Sequence, residues 1–350
     1  MLTHAPCTAL RGVRGGECAV HKTDMRRVII TRVGLVTVII LALGLFARSR
    51  IIRSIRCLPD CVGANLMDRD LRGMDLSNSN FMEANLRRAN LEGTNLRNVD
   101  LSGSHLTDAK LRHANLSLAK LIGADLTRAN LGDAILLGTD MRGAILVQAD
   151  LTRDDLREVL LLGATLNKAT LVGVNLRSVR LPGIELVGAN LTGADLRGAD
   201  LSGANLSRAD LSGAFLSKAD LAGAWLNLTK LTGANLVGAD LSGASLIGSR
   251  LASANLYGGQ LVGALLVGAK FQGADLRSAN LKEARVSIVQ LERVEQAIRS
   301  QELLLDPVIS ELNELQRREI LQQDADFSGA QFNSKTQWPT ALGQRSATQP

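Results

Sequence analysis

From Leu66 to Leu281 every fifth residue of this chain is leucine, with only Phe81, Met141 and Phe271 departing across 44 positions. A strict period of five fits neither common regular element. In an α-helix five residues turn about 500°, so successive leucines walk round the axis by about 140° and make no stripe. In one continuous strand an odd spacing throws them alternately onto both faces. A chain that turns a corner every five residues satisfies the period, because each short straight piece then points its leucine inward.

The other positions agree. With the leucine position written i, alanine stands at i−2 in 29 of the 44 pentads, a small second inward residue. Position i−1 is mostly Asn or Asp, as at Asn65, Asp75, Asn130, Asp195 and Asp240, and Gly is common at i+2, as at Gly193, Gly203 and Gly233. Both suit corners, glycine by its permissive backbone and Asn or Asp by bonding the turn with its side chain. Successive coils would stack by backbone hydrogen bonds at about 4.8 Å. A core this narrow is built from Leu and Ala, which is why aromatic residues make up only 3% of the chain.

The unit A-[D/N]-L-x-x, undiluted in GANLTGADLRGADLSGANLSRADLSGA over residues 188–214, resembles the pentapeptide-repeat family. The resemblance covers residues 62–284 and implies an all-β solenoid, a right-handed quadrilateral β-helix with four pentads per coil. The 44 pentads then make about 11 coils, a stack of about 50 Å.

Two positions break the inward rule. Arg69 and Asp154 stand where alanine is usual, so a bulge or a local partner is expected at each. Arg153, Asp154, Asp155, Arg157 and Glu158 form a charged patch where glycine is lost twice. It reads either as a contact site or as a distorted, solvated corner. If residues twenty apart stack, the most apolar outward face carries Ile145, Val147, Val187, Trp225, Ile247, Leu265 and Val267, and it reads either as an interface or as scattered single apolar residues of the kind normal on a neutral surface.

The net charge of +6 is unevenly spread: residues 1–60 carry +7, residues 61–284 carry +1 and residues 285–350 carry −2. The basic N-terminus surrounds an apolar run, and residues 28–47 are long enough for a transmembrane helix. An uncleaved single-pass anchor is the expectation, with a cleaved signal and a soluble cap as alternatives. Six Lys and Arg precede the uncharged run and four follow it, so the side of the membrane on which the repeat lies stays undecided. Met25, which begins MRRVIITR, is an alternative start. The expected order is a basic, disordered N-terminus over 1–27, the transmembrane helix over 28–47, a basic linker over 48–61 and the β-helix over 62–284. A helical hairpin cap follows over 285–323, read from Ile288, Leu291, Val294 and Ile298 and from the Asp306-Pro307 helix start. Residual repeats over 324–339, with Phe327, Phe332 and Trp338, and a disordered tail over 340–350 complete it.

Chemistry is sparse. Cys57 and Cys61 are spaced for a short disulfide or for two reduced thiols, and not for a usual zinc site. No nucleotide fingerprint or nucleophile–base set is present, so neither a catalytic residue, a metal nor a cofactor is expected. The function expected is a non-catalytic, membrane-anchored scaffold for protein–protein interaction with an unidentified partner and no direct nucleic-acid binding. The helical hairpin could alternatively make a homodimer. The family resemblance implies a second reading, a DNA mimic that protects a topoisomerase such as DNA gyrase, but that mimicry needs a strongly acidic surface and this repeat is nearly neutral.

Overall fold

The computed structural model describes Ile55, residues 57–286 and residues 323–339. The chain divides into Met1–Arg56 and Cys57–Pro350, and the coil belongs to the second unit. Its elementary piece is a tight turn. The carbonyl at i accepts the N–H of i+3, as Leu191 does from Ala194 at 3.0 Å. The i+2 residue is left-handed, with φ of 65° at Gly193 and 59° at Asp68. Positive φ at i+2 and not at i+1 makes this a type II turn, and it explains the glycines. Residues such as Leu118 and Gln148 hold the same conformation, at about 1–2 kcal/mol each.

Between turns, the residue at i−1 bridges in parallel to the residue 20 positions on: Asn65 to Asn85, Asn85 to His105, and so on to Leu265 with Arg285. A constant separation of 20 sets four pentads per coil and therefore four sides. Each side is tied to the coil after it and to the coil before it. The Leu196 N–H donates to the Phe215 carbonyl at 2.7 Å, and the Asp195 N–H to the Val174 carbonyl at 2.9 Å. Inside, every leucine at the repeating position from Leu101 to Leu131 is fully buried, and so are Ala114, Ala119, Ala124 and Ala129. Each buried leucine contributes about 1.5–3 kcal/mol.

This ladder leaves one donor per pentad over, the N–H at i+1. The Asn or Asp at i−1 takes it. Asn190 Oδ1 accepts the Thr192 N–H at 3.1 Å, and Asp200 Oδ1 accepts that of Ser202 at 3.2 Å. The i−1 preference is thus hydrogen-bond satisfaction, since an amide without a partner is costly. Among the i−1 positions without Asn or Asp, Arg180 supports the rule: its i+1 residue is Pro182, which has no N–H and whose fixed φ suits this place in a type II turn.

At the first coil Cys61 fills the leucine position, 1% exposed, and is joined to Cys57 by a disulfide. At the other end Lys270 bridges Asp326, a separation of 56 in place of 20, so one corner carries an insertion of 36 residues. The coil then resumes through Gln331 and Gln337, which bridge Asp275 and Asn280. Phe271 stacks on Phe327 at 4.9 Å between centroids, and Phe332 lies 4.5 Å from Trp338, so aromatic rings fill this last turn. Residues 287–322, which hold nearly all of the expected hairpin over 285–323, lie outside the described residues.

The expected single-pass membrane localisation is corrected. No helix among the described residues is long and apolar enough to cross a membrane. The physical reason is the pentad: a corner every five residues interrupts any apolar run, and the leucines are spent on the coil's interior. The segment 28–47 itself lies outside the described residues.

Candidate functional site

The seven residues expected to form one apolar face do not do so. Ile145 is 43% exposed, and Val147, Val187, Trp225 and Leu265 are partly covered, but Ile247 and Val267 are both 2% exposed and leave the list. They sit in one column of i+1 positions with Ser207 and Asn227, all of them buried. The pentad of Ile247 has Ser245 at i−1 and lacks the usual acceptor. Asn227, one coil earlier, supplies it, accepting the Ile247 N–H at 2.9 Å and the Ser245 hydroxyl at 2.7 Å. The residues that remain are also far apart, since Ile145 and Trp225 are separated by 80 residues, four coils.

The two inward departures resolve differently. Arg69 stands exposed on the first coil, with no described coil beneath it. Asp154 is inside, 1% exposed. Its Oδ1 accepts the Ala134 N–H at 3.1 Å, while its Oδ2 is buried without a partner. Burial pushes its pKa from 3.8 up to about 8, with the like charges of Asp133 and Asp150 acting in the same direction.

Around Asp154 the coil is open. Asn130 bridges Asp150 and Asp140 bridges Leu160, yet the bridge expected between Ile135 and Asp155 is absent, as is that between Leu160 and Arg180. Glu158 supplies a reason. Of all the i+2 residues from Gly63 to Glu283, it alone lacks positive φ. A turn without the left-handed residue reverses the peptide between i+1 and i+2. The coil-to-coil bonds that this peptide would make, from the Gly138 N–H to the Arg157 carbonyl and from the Glu158 N–H to the Arg177 carbonyl, are both missing. A cavity of about 460 Å³ results, walled by Asp154 and by Asp133, Ile135, Leu137, Arg153 and Arg157 among others. At its rim Arg157 pairs with Asp155 at 2.7 Å, and Asp133 pairs with Arg112 at 2.8 Å and more loosely with Arg153 at 3.5 Å. A second opening of about 260 Å³ follows at the Leu160–Arg180 break, beside Leu162 and Pro182.

Apolar side chains crowd the same coils. Leu162 is 71% exposed, Leu137 53%, Ile135 and Leu160 52% and Leu118 47%. They belong to pentads of two consecutive sides within three coils, and Leu118 lies against Gly138, where an added Cβ would meet its Cδ2 at 2.9 Å. Grouping apolar residues twenty apart does not select them. Their signal was the runs Ile135-Leu136-Leu137 and Leu160-Leu161-Leu162, because a pentad can turn only its central residue inward and must leave both apolar neighbours outside. Elsewhere surface charge cancels locally. The guanidinium groups of Arg142 and Arg197 bond the carboxylates of Asp140 and Asp195, two residues away, and hold both below the usual carboxylate range. Among the described residues no group of His, Cys, Asp and Glu could hold a metal ion.

A family model described as pentapeptide repeats matches the chain in eight copies, at residues 60–98, 84–121, 100–136, 119–161, 144–183, 184–223, 226–259 and 260–294. No curated protein sequence matches it. Among solved structures the chain is similar to HetL, a pentapeptide repeat protein involved in heterocyst differentiation regulation in the cyanobacterium Nostoc sp. strain PCC 7120. The identity is 25% over 81% of this chain and 92% of that one, with a TM-score of 0.36. It is similar also to Rfr23 of the cyanobacterium Cyanothece 51142, at 22% identity over 48% and 90% with a TM-score of 0.25. QnrB1, a plasmid-mediated fluoroquinolone resistance protein, is 16% identical over 77% and 92%, with a TM-score of 0.21. At these scores the superpositions carry no residue roles to this chain.

Proposed function

The chain belongs to the pentapeptide-repeat family, whose members fold as right-handed quadrilateral β-helices, and from that premise we propose that it is a non-catalytic scaffold whose contact surface for another protein is the region from Leu118 to Leu162. One observation carries this: the exposed leucines and isoleucines gather on the coils where the backbone ladder is open. Scattered apolar residues are ordinary on a protein surface, whereas a cluster of them marks an interface. Arginines two residues on pair with Asp140, Asp155, Asp195 and Asp275, and residues 61–284 carry a net charge of only +1, which does not support the strongly acidic surface a DNA mimic needs.

The test is site-specific cross-linking in the native host. A photoreactive phenylalanine analogue is placed at Leu137 or Leu162, with exposed Thr232 on a regular coil as the control. A discrete adduct from the first two sites, absent from the third, is expected, and Leu162→Asp should suppress the adduct formed at position 137. Equal labelling at Thr232, or no adduct from either leucine, refutes the reading.

A further inference from the structure

Asp154 is the one buried charged residue at an inward position of the described coil. Its position is inward, and the alanine found there in 29 of 44 pentads would fill it without any polar group. It is 1% exposed, and one of its two oxygens is left without a donor. A buried acceptor in that state is destabilising, and local conflicts of this kind collect at functional sites. It does not stand alone. The turn that follows it is the single one in the repeat without a left-handed residue, and the ladder beside it is parted to leave about 460 Å³.

The walls of the cavity indicate what enters it. Four acidic residues, Asp133, Asp154, Asp155 and Glu158, face two basic ones, Arg153 and Arg157. Arg157 is occupied by Asp155 at 2.7 Å, Asp133 is held by Arg112 at 2.8 Å, and Arg153 reaches Asp133 only at 3.5 Å. With Arg112 counted, four acids stand against three bases once Asp154 is ionised, so the ionised site favours a cation. The donors missing from Asp154 are those that an ammonium or guanidinium group provides. Ile135 and Leu137, 52% and 53% exposed at the mouth, offer an apolar shelf beside the acid.

We infer that the opened coil at Asp154 receives a basic side chain of the partner protein, a lysine or arginine reaching the carboxylate while an adjoining apolar residue rests on Ile135 and Leu137. This rests on the reading of the Leu118–Leu162 region as a contact surface and names the chemistry of what it contacts.

Two probes test it on the full-length protein, with backbone amide resonances as the readout: n-butylammonium, and the capped dipeptide acetyl-Leu-Lys-amide. Both are expected to shift the amides of residues 133–137 and 153–158. The dipeptide should bind about tenfold more tightly, since it alone covers the apolar shelf. Because the ammonium needs the carboxylate, both affinities should rise about tenfold per pH unit between about 6 and 8 and then level off. Asp154→Ala, which restores the alanine of the regular pentad and so keeps the coil, should abolish the binding. Binding that survives Asp154→Ala, or no shift at those amides with about 100 mM of either probe (a level that would reveal millimolar affinity), overturns the inference. Equal affinity for the two probes would assign the site to free amines and overturn the assignment to a partner's side chain. The scaffold reading fails separately. Adducts at Leu137 without ammonium binding remove only the basic side chain at Asp154, whereas ammonium binding without adducts removes the scaffold and, with it, the assignment of the site to a partner's side chain.

Discussion

Replacing Asp154 with alanine is expected to strengthen the coil, by an amount that grows with pH. In the folded coil the carboxyl titrates at about 8, against an ordinary 3.8, because burial penalises its charge. In the unfolded chain it titrates at the ordinary value. Between those limits the folded state keeps a proton that the unfolded state has released. Asp154 therefore destabilises the fold progressively as pH rises through this window. At about 1.4 kcal/mol per pH unit, the penalty is close to zero at pH 4 and on the order of 5 kcal/mol at pH 8. Alanine gives up the bond from the Ala134 N–H, worth about 1 kcal/mol. Near pH 4 the variant should thus be slightly weaker than the native protein, and above pH 6 clearly stronger. Coils of a solenoid open in part independently, so a global melting curve would dilute the effect. Native-state hydrogen exchange reads it coil by coil. After correction for intrinsic exchange, protection of the amides over 131–165 in Asp154→Ala should gain on the native protein by up to about tenfold per pH unit and level off near pH 8. Amides over 231–256 should show no difference. An identical pH dependence in the two proteins would mean that Asp154 is not a buried acid in the folded coil, and the reasoning would fail with it.

Four further outcomes follow from the coil's geometry, each read from a chemical denaturation curve. Leu201→Ala, at a fully buried position, should cost about 2–5 kcal/mol. Gly193→Ala places a Cβ in open space at φ of +65°, so it should cost only the backbone strain of about 1–2 kcal/mol. Gly138→Ala should cost more than Gly193→Ala, because its Cβ would lie 2.9 Å from Leu118 Cδ2, and Leu118→Ala should remove the excess. Asn190→Ala strands the Thr192 N–H and should cost about 1 kcal/mol, whereas adding Thr192→Pro should recover most of it, as Pro182 does naturally beside Arg180.

Much of this architecture is legible in the sequence because each pentad is locally complete. The inward leucine, the small i−2 residue and the left-handed i+2 residue are set within five positions, and the spacing of 20 between bridged residues follows once four such units close a coil. The role of Asn and Asp was visible only in outline. That they serve the one amide the ladder leaves over emerges from the bonds themselves, and it explains why Pro182 can stand two residues after Arg180. The outward face was harder to read. Adding up apolar residues twenty apart selected Ile247 and Val267, which are buried, because whether an i+1 side chain stands out or folds against its column depends on the neighbours one coil before and after. In this column Asn227 bends in to serve Ile247. The 36-residue insertion was legible as a loss of period after Ala284, and the residual repeats over 324–339 announced the coil's return, but not that Asp326 pairs with Lys270 across the insertion.

The same local completeness decides where function can lie in such a chain. A pentad that satisfies its own amides, fills its own share of the core and neutralises its own aspartate presents to a partner a surface much like that of every other pentad. Selectivity has to come from units that fail to complete themselves. Between Asp133 and Pro182 three failures coincide: an inward acid with an unmet acceptor, a turn without its left-handed residue, and leucines on both sides of the one that turns inward. Any one of them would be an ordinary imperfection in a stack of more than forty repeats. Together they part the ladder and leave a charged cleft beside an apolar shelf. Neither could exist on a regular side, where the next coil lies only about 4.8 Å away.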